Sequence, residues 1–138
     1  MALSFGFYAD PALTTRLGSR LALVQDHLAP AAADKVIYFG SPLPGKTCRA
    51  NSSPGVAAIT VSPTDAAPAA GLPASTLRLA LSAAGLSSAT PGAALALPAT
   101  VLSGVANAIP IHMRVLDSLH VVGVYNDLGL TTNQLIET

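Results

Sequence analysis

Turn-forming residues set the first limit on this chain. Asp10-Pro11, Ala29-Pro30, Ser41-Pro42, Ser53-Pro54-Gly55, Ser62-Pro63, Ala67-Pro68, Pro91-Gly92 and Leu97-Pro98 recur along it. Each marks a place where the backbone turns, because proline fixes φ and lacks an N–H while glycine enters conformations closed to other residues. With eleven Pro and eleven Gly in 138 residues, long helices have no room. The segments Ala29 to Asp34 and Ala99 to Asn107 are too short and weakly patterned for more than a turn or two.

Between the turns the dominant period is two. Leu77, Leu79 and Leu81 alternate with Arg78 and Ala80, the pattern of a half-buried strand. Ile109, Ile111, Met113 and Val115 alternate with Pro110, His112, Arg114 and Leu116, with Pro110 marking an edge or the strand's start. Ala57, Ile59 and Val61 alternate with Ala58, Thr60 and Ser62 in a short strand stopped by Pro63. Further strands are expected over Leu3 to Tyr8, Leu21 to Gln25, Val36 to Phe39, Ala93 to Leu97, around Val101, over Val121 to Tyr125 and over Gln134 to Glu137. About nine short strands with regular turn signals predict an all-β fold, an antiparallel β-sandwich of immunoglobulin-like or jelly-roll-like type. The length fits one domain over residues 1–138, large enough to bury a core without metals or disulfides.

One stretch points elsewhere. Gly40 to Thr47 match the phosphate-binding pattern G-x-x-x-x-G-K-[ST] through Gly40, Gly45, Lys46 and Thr47, with a strand-like Val36-Ile37-Tyr38-Phe39 before them. Phosphate binding also needs a helix launched from the Lys and Thr, whose free N–H groups hold the anion. Here Asn51-Ser52-Ser53-Pro54-Gly55 ends any helix within a turn, and Pro42 and Pro44 remove two donors from the loop. The match is therefore read as a decoy: a proline-shaped hairpin loop leading to a short strand near Thr47 to Ala50, with Lys46 an exposed charge.

Other chemistry is equally unsupported. His27, His112 and His120 sit at no metal-ligand spacing, and His112 shares the polar face of its strand with Arg114. No Ser lies in a G-x-S-x-G elbow. Glu137 is the only Glu, and the six Asp lie mostly in turns, where their side chains bond their own backbone. The expectation is a protein that is not an enzyme, with no catalytic residue, cofactor or metal. Phe5, Phe7, Tyr8, Tyr38 and Phe39 are expected to meet in the core, with the Tyr8 hydroxyl free for a partner.

Charge narrows the partners. Seven basic and seven acidic residues make only 10% of the chain, against about 25% in an average domain, and they cluster nowhere, so neither nucleic acid nor an anionic membrane is an expected partner. The 35 residues between Arg78 and Arg114 carry no charge at all, yet Pro91, Pro98 and Pro110 interrupt them, which argues against a spanning helix. The N-terminus has no basic region of the secretory kind, and the lone Cys48 suits a protein made in a cytoplasm. Zero net charge, a mean hydropathy of +0.53 and 51% hydrophobic residues favour self-association, so part of the surface is expected to be covered.

The stretches "FGFYADPALTTRL", "VIYFGSPLPGKTCRANSSPG", "ITVSPTDAAP" and "IPIHMRVLDS" together resemble small structural proteins of tailed bacteriophages. The resemblance implies a capsid decoration or cement protein, bound to the outside of the major capsid shell and stabilising it. Its implied partners are the major capsid protein or other virion proteins and further copies of itself, and its implied place is the virion surface. A tail or baseplate accessory or receptor-binding module is the other reading of the same resemblance. The uncharged stretch from Leu79 to Met113 and the N-terminal strand are the expected contact surfaces.

Overall fold

The computed structural model describes residues 3–17, 33–65, 77–115 and 128–138. The strands expected over Leu21 to Gln25 and Val121 to Tyr125 lie outside these residues, as do His27 and His120. Among the described residues there are ten strands: β1 (Gly6–Tyr8), β2 (Ala33–Gly40), β3 (Thr47–Ala50), β4 (Ile59–Asp65), β5 (Leu77–Ala80), β6 (Leu95–Leu97), β7 (Thr100–Leu102), β8 (Ile109–Val115), β9 (Leu128–Thr132) and β10 (Leu135–Glu137). Two 3-10 turns, Ala84–Ser87 and Val105–Asn107, are the only helical elements among the described residues. The fold is all-β and antiparallel, as the alternation and turn spacing predict.

Hydrogen bonding divides the strands into a four-stranded sheet, β1-β2-β8-β5, and two three-stranded sheets, β10-β3-β7 and β6-β4-β9. The two smaller sheets are halves of one bent layer. β3 leads into β4, β6 into β7 and β9 into β10, and the paired strands hold corresponding positions in the two sheets. Two crossings of the bend take two residues each, Pro98-Ala99 and Asn133-Gln134, while the central strand takes the eight residues 51–58. Asn133 fastens the corner. Its N–H donates to the Thr60 carbonyl at 3.3 Å, its side-chain oxygen accepts from Thr60 N at 3.1 Å, and its amide nitrogen donates to the Ala58 carbonyl at 3.1 Å.

The four-stranded sheet and the bent layer share one core. Ile37 and Phe39 of β2, Leu77 and Leu79 of β5 and Ile111 and Met113 of β8 meet Cys48, Ile59, Val61, Leu97 and Val101 from the other layer. Phe5 and Phe7 flank Phe39, with ring centroids 6.1 and 5.6 Å away. This is the sandwich-like arrangement in which alternate side chains of each layer point inward.

Several expectations are corrected by the ladders. Pro63 does not stop its strand. β4 runs on to Asp65, and the β9 ladder bonds Thr60 with Asn133, so Pro63 turns its missing N–H toward β6, which has already ended opposite Val61. β2 begins at Ala33, so Asp34 and Lys35 lie within the strand, and Ala33 and Asp34 are extended where a helical turn was the alternative. β2 and β3 form no hairpin, since they belong to different layers and residues 41–46 cross between them. Leu81 lies past the end of β5 and is 48% exposed, and Tyr38 falls on the outer face of its sheet beside Pro110, away from the core. Pro110 sits in a central strand, but β5 stops at Ala80 opposite His112, so at Pro110 β8 has a neighbour on one side only.

Candidate interaction surfaces

The phosphate-loop match occupies the crossing between layers. Gly40 ends β2 and Thr47 opens β3, a strand, so no helix N-terminus faces the loop. Thr47 exchanges both backbone bonds with Thr138 at 2.9 Å, Lys46 N donates to Ser103 Oγ at 2.9 Å, and Leu43 N donates to Ser41 Oγ at 3.2 Å. Three N–H groups in or beside the loop are thus already used inside the protein, and the loop offers an anion no cradle of the phosphate-binding kind. Gly45 has φ +68°, a left-handed conformation that a tight turn here requires.

Among the described residues Ser41 is the one fully buried polar side chain, and it belongs to a cluster that the sequence does not announce. Glu137 Oε1 accepts from Ser4 N at 2.8 Å, Ser4 Oγ at 2.6 Å and Phe5 N at 3.3 Å. Because the Ser4 proton is committed to Glu137, Ser41 is the donor in the 2.6 Å contact between the two hydroxyls. The hydrogen bonds from Ser4 and Phe5, with the positive charge of Lys46 at longer range, hold the Glu137 carboxyl below its ordinary value. A carboxylate so stabilised is a poorer base than a free one. The cluster is a clasp between the segment before β1 and the final strand.

Cys48 is also buried, and burial, with the Glu137 charge nearby, pushes its thiol up to about 11. It remains a neutral core side chain at physiological pH. His112 stands on the outer face between Val36 and Ala80. Next to it Arg114 grips Asp34 through two hydrogen bonds of 2.8 and 2.9 Å, which lower the Asp34 pKa and raise that of Arg114. Among the described residues no three His, Cys, Asp or Glu side chains gather as a metal site requires, and no helix is long and apolar enough to cross a membrane. Asp10 caps the turn after β1, accepting from Thr14 and Thr15, and its pKa falls accordingly.

What the surface offers instead is apolar contact. Leu102 (54% exposed), Val105 (52%) and Leu43 (46%) lie on adjoining segments, held side by side because Ser103 N donates to the Lys46 carbonyl and Gly104 N to the Ser41 carbonyl. Val56, 82% exposed, stands on the 51–58 excursion, where Ser53 and Gly55 take positive φ. The Tyr8 hydroxyl is not offered outward, since it donates to the Ser4 carbonyl at 3.2 Å and the ring is 5% exposed.

No family model, no curated protein and no solved structure matches this chain.

Proposed function

We propose that this protein is a structural component of a virus particle, a decoration or cement protein that binds the outside of the major capsid shell and stabilises it. The observation that carries the reading is the exposed apolar end formed by Leu43, Leu102 and Val105, set beside a 35-residue stretch without a single charge. A neutral surface of this kind gains free energy by being covered, roughly 25 cal/mol for each Å² of apolar area removed from water. A rigid two-layer β-fold presents such a surface without reorganising, which lowers the cost of binding.

The test is location. Antibody labelling of purified particles is expected to decorate the head, and particles stripped of the protein are expected to lose shell integrity at lower temperature than decorated ones. Protein that sediments free of particles overturns the assignment, and label confined to the tail transfers it to a tail accessory role.

A further inference from the structure

We propose that the outer edge of β7, which no described strand covers, is a self-pairing edge, which joins the same edge of a second copy of this chain in an antiparallel ladder. The hydrogen-bond register fixes which groups are available. Thr47 exchanges its backbone bonds with Thr138, and Asn51 N donates to the Gln134 carbonyl. Alternate residues of β3 therefore face β10, while Lys46, Cys48 and Ala50 face β7. Ser103 N donating to the Lys46 carbonyl confirms the phase. Cys48 is opposite Val101, so Val101 spends its backbone groups on β3, and Thr100 and Leu102 turn theirs outward.

The same phase continues across the bend. Thr60 faces Asn133, so its opposite number on β6, Ala96, also presents its N–H and C=O to the open side. Ala96, Thr100 and Leu102 are all exposed.

Three of the other edges are guarded, while β9, like β7, carries no charge. Beside β1 the chain returns, with Leu17 N donating to the Phe7 carbonyl and Ala9 N to the Thr15 carbonyl. β5 carries Arg78, and its Leu77 carbonyl is taken by Gly92 N. β10 carries Glu137. Proteins usually protect a bare edge with charge, a covering loop or a bulge. On the 95–102 edge Pro98 stands at the bend and Gly55 of the 51–58 loop comes up to the Thr100 side chain, but no charged residue lies between Arg78 and Arg114.

The occupant follows from symmetry. A two-fold axis at Val101 sets Thr100 of each copy opposite Leu102 of the other. Each of these two pairs exchanges both backbone bonds, and the sheet runs on as β10-β3-β7 followed by its mirror order. A neutral edge meets its own copy without like-charge repulsion, whereas a charged edge would not. The exposed Leu102 side chain then covers Thr100 of the other copy. This pairing stands whether or not the protein sits on a particle.

The experiment is sedimentation velocity of the full chain at roughly 100 μM, where micromolar self-association is populated, with amide exchange on the same sample. The parent is expected as a dimer, with the Thr100 and Leu102 amides slowed relative to a dilute sample. Leu102→Lys puts a charge on the edge and Thr100→Pro removes an outward N–H that no bond among the described residues uses. Both are expected to sediment as monomers with the parent's circular dichroism. If Thr100→Pro fails to fold, Leu102→Lys decides, since it changes an exposed side chain. A monomeric parent at that concentration overturns the proposal. So does a dimer that persists in folded Leu102→Lys.

Discussion

Replacing Glu137 by Ala removes the acceptor of three hydrogen bonds at once, from Ser4 N, Ser4 Oγ and Phe5 N. A hydrogen bond to a charged group contributes about 1.5–3 kcal/mol when fully shielded. The bond to Phe5 is long at 3.3 Å, and the site is only partly buried, so water recovers much of the loss. The expected cost is about 2 kcal/mol, or a fall in Tm of about 8 °C for a chain of this size. Glu137→Gln keeps an acceptor oxygen without the charge and is expected to lose about half as much.

Acid supplies the second half of the experiment. Glu137 has a lowered pKa in the folded protein, so the folded state binds this proton more weakly than the unfolded chain does. The clasp therefore contributes in full above the ordinary glutamate range near about 4.3, and its contribution is lost as pH falls through the lowered native value. Thermal unfolding followed by circular dichroism at pH 7 and at stepwise lower pH measures both. The gap between parent and Glu137→Ala is expected to be widest at pH 7 and to narrow in acid. Equal Tm values at pH 7, or a gap independent of pH, would show that the carboxylate does not hold the two ends together.

Four further outcomes are expected. The buried Cys48 thiol should resist alkylation in the native protein at neutral pH and react once unfolded, as intact mass spectrometry after iodoacetamide would show. Its raised pKa of about 11 also means that the unfolded chain ionises first, so stability falls as pH rises from about 8.5 toward that value; a Cys48→Ser variant whose alkaline stability profile matches the parent's would contradict this. Asn133→Ala leaves Thr60 N and the Ala58 carbonyl to solvent and should cost about 1 kcal/mol in denaturant unfolding, with no loss of β content. Isothermal titration with Mg-ATP should show no binding to the parent or to Lys46→Ala, and ATP affinity that disappears in the variant would restore the nucleotide site.

The sequence made some of this architecture legible and hid the rest for identifiable reasons. β5 and β8 show their alternation because each has one buried and one solvent-facing side, so Leu77, Leu79, Ile111 and Met113 stand out against Arg78, His112 and Arg114. β9 escaped notice because Gly129, Thr131, Thr132 and Asn133 read as turn chemistry, and only its pairing with β4 makes it a strand. Pro63 looks like a strand breaker until β6 is known to stop short of it, and Pro110, read as an edge or a strand's start, stands second in β8 where β5 no longer reaches. The clasp was invisible for a different reason. Ser4, Ser41 and Glu137 are far apart in sequence, and no local spacing records a contact of 133 residues' separation; the one hint was that this chain uses glutamate a single time.

The central strand of the bent layer crosses the bend in eight residues where its two neighbours need two. The surplus, residues 51–58, sits between strands each anchored by its own ladders, and lengthening such a loop costs only slowly growing closure entropy. A foreign peptide spliced between Pro54 and Gly55 would leave the register of β3 and β4 untouched and extend from the segment that carries the exposed Val56. If the protein coats a particle, that splice point turns every copy into a carrier for the inserted epitope.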